Sequence, residues 1–188
     1  GGTVAVLERV IQEIGDLLSG TGIHFHVDGV QVAGRGRVDV GTLPCHSYSL
    51  SAHKFGGMKG TGALISKIGT PGDPILHGGH QEAGLRAGTE NVPGIVAMGT
   101  AAEQAMETLD DTAAHVLRLR AVFDNLATII PVSWINGHRD LRLPNTTNLC
   151  FLNADAMSVV LALSSVGIHI GTGSACASQD QEPSRILK

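Results

Sequence analysis

Two short stretches carry the residue types most able to do chemistry. "FHVDGVQ" sets Asp28 directly behind the apolar run "IHFHV", with Gln31 three residues on. "SLSAHKFGG" sets Ser51, His53 and Lys54 behind a second apolar run and ahead of a glycine turn. Ligands of α/β sheets bind outside the carboxyl ends of the strands, so an acid and an amine at two such ends suggest one shared site. A lysine amine there can form a Schiff base with an aldehyde. The plainer alternatives are that Asp28 caps the next turn and that Lys54 is an ordinary surface lysine.

Pyridoxal phosphate is an aldehyde that needs both groups. Its lysine holds the aldehyde carbon, and an acid opposite the ring nitrogen keeps the pyridinium protonated, the better electron sink. Lys54 and Asp28 suit those roles, Ser51 and His53 would donate to the phosphate, and Gln31 could present its amide to the same cleft. Cys176, in "GTGSACAS", sits among small and polar residues with no apolar flank and is a candidate nucleophile, the alternative being an incidental exposed thiol. Cys150, in "TNLCFL", reads instead as strand interior. His77, His80 and Glu82 match no helical metal spacing and have no cysteine nearby, so no metal site is expected.

The elements that must position these residues alternate between helix and strand. Val4, Leu7, Val10, Ile11, Ile14, Leu17 and Leu18 recur at helical spacing, with Thr3 as a cap and Gly20 beyond the end. Strands are expected at Ile23–Val27, Ser47–Ser51 and Gly62–Ser66, and the glycine-rich His77–Asn91 reads as a loop. Helices follow at 92–109, with Pro93 near the start, and at 113–130. Strand-like "VSWI" and "TNLCFL", a helix over 155–166 and a strand "IHI" complete the pattern. This is α/β grammar, with a lobe boundary expected near Asp110–Asp111, giving domains 1–110 and 111–188.

Composition narrows the classes. The 188 residues carry a net charge of −4, which points away from a nucleic-acid surface. No run approaches the roughly 18 apolar residues of a membrane span, and no basic-then-apolar leader opens the chain. Three cysteines with no repeated spacing argue against a disulfide framework or a zinc knuckle and fit a reducing cytoplasm. Hydrophobic content is 43% with only 3% aromatic, so the core must be aliphatic.

Four stretches in order, "FHVDGVQVAG", "SLSAHKFGGMKGTGAL", "GLRAGTENVPGIVAMG" and "GSACASQDQEPSRIL", cover almost the whole chain. Together the chain resembles the cysteine desulfurases, of the branch with an extended cysteine loop, within the aspartate-aminotransferase-like fold (fold type I) of pyridoxal phosphate enzymes. The resemblance implies a large cofactor domain plus a small domain, truncated here at both ends. It implies a transferase that converts L-cysteine to L-alanine and passes sulfur from a Cys176 persulfide to an acceptor protein. Iron–sulfur cluster assembly, tRNA thiolation and DNA sulfur modification are the destinations it leaves open.

Residue by residue, the resemblance gives Asp28 the ring nitrogen, Gln31 the ring hydroxyl, Ser51 and His53 the phosphate, and Lys54 the aldehyde. Thr89 would reach the phosphate of the neighbouring subunit in a homodimer, and Cys176 would attack the substrate sulfur. Lys188 stands where the family usually carries an arginine for the substrate carboxylate, which keeps the charge and loses the bidentate fork. His80 replaces a usual glycine and Met58 a usual proline. The rival readings are a selenocysteine lyase or related lyase of the same fold, and a non-catalytic remnant that dimerises or binds a partner.

Overall fold

A computed structural model describes residues 7–173 of the chain. Two compact units divide it, one spanning Val6–Ala114 and the other beginning at His115.

In the first unit, α1 (Leu7–Leu18) buries Ile11 to 3% exposure while Val10, Ile14 and Leu17 on its apolar stripe stay exposed, and the chain leaves it through Gly20 at φ +74°. The expected first turn from Val4 and its Thr3 cap lie outside the described residues. Three strands follow: β1 (His26–Asp28), β2 (Ser47–Ser51) and β3 (Gly62–Ser66), in the order β1-β2-β3. β1 runs parallel to β2, with Val27 opposite Tyr48 and Asp28 opposite Ser49. β2 runs antiparallel to β3, with Ser51 opposite Gly62. Ile11, Val27, Leu43, Cys45 and Tyr48 form the core, flanked by Phe25, Val38 and Val40. Each such side chain removed from water contributes about 1.5–3 kcal/mol before entropy is counted.

β2 and β3 take the bounds expected of them. β1 is shorter and shifted, because only His26–Asp28 find partners in β2; Ile23 and His24 precede the ladder. The 77–91 loop contains one short 3-10 turn, Glu82–Gly84, in which Glu82, Ala83 and Gly84 all have positive φ (50°, 56° and 82°). α2 (Val92–Glu107) is capped by the Asn91 carboxamide oxygen, which accepts from Gly94 N at 3.2 Å, and Pro93 occupies its first turn. Thr108 alone separates α2 from α3 (Leu109–Ile129). The second helix thus starts four residues before the expected 113, because buried Leu109 anchors it. Asp110 and Asp111 lie in its first turn, where acids complement the helix dipole.

In the second unit, β4 (Ser133–Ile135) pairs antiparallel with β5 (Leu149–Phe151), and α4 (Ala156–Ser165) follows. Asp155 caps α4, accepting from Ser158 N (2.8 Å) and Ser158 Oγ (2.7 Å), and these bonds hold its carboxyl below the ordinary range. Arg142 and Arg120 both pair with Asp124, which also accepts from Thr147 Oγ1 at 2.9 Å. The expected strand Ile168–Ile170 is not formed: Ile168 N donates to Leu163 O (2.9 Å), closing the end of α4 rather than joining β4 or β5. Among the described residues no helix is long and apolar enough to cross a membrane.

Candidate active site

The parallel pair β1–β2 ends on one edge of the sheet, and the two chemistry-bearing stretches leave from that edge. Asp28 is the last residue of β1; Ser51, the last of β2, lies two residues beyond Asp28's partner Ser49 and so on the same strand face as Ser49. The chain then enters a 3-10 turn, Ala52–Lys54, whose base is fully buried Ala52. Ala52 N donates to Thr61 O (3.0 Å), and its carbonyl accepts from Phe55 N (3.1 Å) and Gly57 N (2.8 Å). These bonds tie Lys54 to β3 on one side and to the glycine turn on the other. Lys54 is half-buried; His53 is exposed.

The Asp28 carboxylate is held from one side only. Its Oδ1 accepts from Val30 N at 3.0 Å and from Ser49 Oγ at 3.4 Å. Among the described residues its Oδ2 accepts nothing. The Val30 bond is the turn-capping role open to such an acid, and it leaves one oxygen over for a ligand. Gly29 approaches the ring of Tyr48 so closely that a Cβ there would stand 1.8 Å from Tyr48 Cζ. Tyr48 is buried beneath this turn, and among the described residues its hydroxyl has no partner. Burial first, then the charges of Cys45 and Asp28, raise its pKa above the ordinary value.

The remaining expected residues differ in how the structure places them. Ser51 Oγ and His53 Nδ1 share a hydrogen bond of 2.8 Å, a paired hydroxyl and imidazole beside Lys54. Gln31 Oε1 accepts from Arg35 Nη1 at 2.7 Å, which fixes the amide and leaves its NH2 group to point elsewhere. Thr89 lies exposed in the loop before α2, apart from this cluster in the hydrogen-bond network. Cys176 and Lys188 lie outside the described residues. Sequence reasoning missed Ser49 and His26, which contact Asp28 directly and at one remove. The signal was the alternation His24, His26, Asp28 on one run and Ser47, Ser49, Ser51 on the other.

This donor set fits pyridoxal phosphate. A half-buried amine, an acid with one oxygen and an amide with an NH2 that are free among the described residues, and a hydroxyl–imidazole pair answer to the cofactor's aldehyde, ring nitrogen, ring hydroxyl and phosphate. Cysteine desulfurases and class-V aminotransferases use that cofactor.

Comparison with known proteins bears on the same point. The family model for aminotransferase class-V matches residues 4–185. A cysteine desulfurase IscS from Methanosarcina thermophila is 44% identical over 177 residues, covering 94% of this chain and 44% of that protein. A cysteine desulfurase NifS from Azotobacter vinelandii is 38% identical over 179 residues, covering 95% of this chain and 44% of that protein. The solved structure of a NifS-like protein superposes with a TM-score of 0.80 at 33% identity, over 99% of this chain and 50% of its own. The chain thus spans less than half the length of the curated relatives it matches. With its residues 4–185 matched to the family model and an acid and a lysine on one sheet edge, the chain belongs to the class-V aminotransferases.

Proposed function

We propose that the protein carrying this chain is a pyridoxal phosphate-dependent cysteine desulfurase, acting on L-cysteine and passing sulfur to an acceptor protein. One observation carries the reading: Asp28 and the Ser51–His53–Lys54 turn leave the carboxyl ends of neighbouring parallel strands. The relatives named as cysteine desulfurases, at 38% and 44% identity, support the reaction. Residues 1–110 are part of the large cofactor domain and 111–188 part of the small domain. The protein works as a cytoplasmic homodimer, with Thr89 serving the neighbouring subunit's phosphate.

When bound, the cofactor draws electrons away from the substrate Cα. The chain's own residues do the rest. Asp28 would hold the proton of the ring nitrogen, and Gln31 would hold the ring hydroxyl through its side-chain amide. Ser51 and His53 donate to the phosphate. Lys54, anchored by the buried Ala52 turn, would hold the cofactor through its aldehyde. Lys188 attracts the substrate carboxylate. The Cys176 thiolate attacks the substrate sulfur, the substrate Cβ–S bond breaks with its electron pair left on carbon, and that carbon takes up a proton to give alanine while the sulfur stays on Cys176 as a persulfide.

The test is borohydride reduction of the cofactor-loaded protein with peptide mapping, followed by mass spectrometry after incubation with cysteine. The expected label is on Lys54 and the expected added sulfur on Cys176, with alanine formed and both lost in Lys54→Ala. A label on Lys59 or Lys67, or sulfur on Cys45 or Cys150 with Cys176 unmodified, overturns the assignment.

A further inference from the structure

Behind Asp28 a chain of four side chains runs along the β1–β2 pair, and its protons can be counted. Ser49 Oγ lies 3.4 Å from Asp28 Oδ1 and 3.3 Å from His26 Nε2. The other nitrogen of the same ring, His26 Nδ1, lies 2.9 Å from Ser47 Oγ, which in turn lies 2.8 Å from His24 Nε2. The carboxylate only accepts, so the single Ser49 proton goes to Asp28 and Ser49 must accept from His26 Nε2–H. With the His26 ring carrying one proton, Nδ1 accepts from the Ser47 hydroxyl and Ser47 accepts from His24 Nε2–H. Every donor in the chain points toward Asp28. The far end reaches exposed His24, whose ring stacks on His46 at 5.4 Å between centroids. His46 is itself fixed, since its Nδ1 accepts from Phe25 N at 2.8 Å.

Resting on the cofactor reading above, we propose that His26 is a positioning residue for Asp28: through Ser49 it locks Oδ1 in place so that Oδ2 faces the cofactor's ring nitrogen. Val30 N and Ser49 Oγ are the two points that stop the carboxylate from turning about its own axis. Ser49 alone is a poor lock, because its hydroxyl can rotate to water. With His26 Nε2–H donating to its oxygen, the Ser49 proton has only the Asp28 direction left. His26 in turn cannot flip its ring without losing both Ser47 and Ser49. The arrangement follows from strand geometry: His26 and Asp28 alternate on one face of β1, opposite Ser47 and Ser49 in register.

The experiment uses the full-length protein, loaded with pyridoxal phosphate, as wild type and as Ser49→Ala, His26→Leu and His26→Gln. Two quantities are read: the histidine tautomers by nitrogen-detected NMR, and cofactor retention at equilibrium dialysis. The wild type is expected to show Nε2–H tautomers at His24 and His26. Ser49→Ala and His26→Leu should each weaken retention by about tenfold, the low end for a lost hydrogen bond to a charged group. His26→Gln should recover most of what His26→Leu loses, because its amide N–H can replace Nε2–H toward Ser49. A merely space-filling role predicts the reverse, with the bulky leucine tolerated no worse than glutamine. An Nδ1–H tautomer at His26, unaltered retention in Ser49→Ala, or no recovery by glutamine overturns the inference while borohydride still labels Lys54. Failure to label Lys54 in the wild type overturns the cofactor reading, and this inference with it.

Discussion

Gly57→Ala tests whether the Lys54 turn tolerates any other construction. The Gly57 N–H donates to Ala52 O at 2.8 Å, so the two residues clasp the turn that carries Lys54 between them. A Cβ on Gly57 would lie 2.8 Å from Ala52 Cβ, 3.1 Å from its O and 3.2 Å from its C. Ala52 is 0% exposed and two of the three atoms are backbone, so nothing there can swing aside. Carbon atoms in ordinary contact sit about 3.5–4.0 Å apart, so the turn must open by about 1 Å. Overpacking of this kind costs about 1–3 kcal/mol of stability. Displacing a reacting group by about 1 Å costs about 100-fold in rate, and Lys54 takes the displacement. Gly56 is the control: its φ of +95° strains any other residue, yet a Cβ there meets nothing within 4 Å. Gly56→Ala should therefore lose about 1–2 kcal/mol with a far smaller effect on turnover per folded molecule. The assays are denaturant unfolding and single-turnover alanine formation from cysteine. A Gly57→Ala protein with turnover within about threefold of wild type and stability within about 0.5 kcal/mol refutes the reasoning, because that is the range of an inconsequential surface change.

Asp124→Ala removes the one carboxylate shared by Arg142, whose side chain is 3% exposed, and Arg120, at 13%. Two guanidinium groups are left facing each other out of water, and chemical denaturation should show a loss of about 3–5 kcal/mol; less than about 1 kcal/mol means the cluster is effectively solvated. Tyr48→Phe should be neutral or stabilising by up to about 1 kcal/mol near pH 8, because the buried hydroxyl it removes has no partner among the described residues. The Tyr48 pKa is raised on folding, so its contribution is whole below the ordinary value of 10.0 and lost as pH climbs through the folded value. Wild type should therefore lose more stability than Tyr48→Phe between pH 9 and about pH 12; equal losses in the two proteins exclude the phenol as the cause.

The elements closest to expectation are those whose whole run finds a partner. Ser47–Ser51 and Gly62–Ser66 are short runs between turn-forming residues, and each took its expected bounds. The misses are places where a partner decides. Ile23 and His24 have strand-forming neighbours but no ladder, and Ile168 was captured by the end of α4 instead of by a strand. Leu109 extended a helix backward because it is buried, and burial is not visible in one residue's neighbours. Lys54 and Asp28 stand out in the sequence because each follows a strand and the proposed chemistry needs one of each. His26 and Ser49 do not, since neither marks a strand end and their meaning lies in the pairing.

That pairing is itself enforced by the core. Val27 and Tyr48 face each other across β1 and β2, both buried, at 7% and 2% exposure. With side chains alternating, burial of these two assigns His26, Asp28, Ser47, Ser49 and Ser51 to the opposite face. A slip of one residue in β2 would set Tyr48 beside Asp28 or beside His26 and send the serines to the wrong side of the sheet. It would break the Asp28–Ser49 contact, the His26–Ser47 contact and the step from Asp28 to Ser51 together. The hydrophobic core and the polar site are thus two faces of one register. The buried residues that give this unit its stability, Tyr48 among them, also determine which hydroxyl meets which carboxylate.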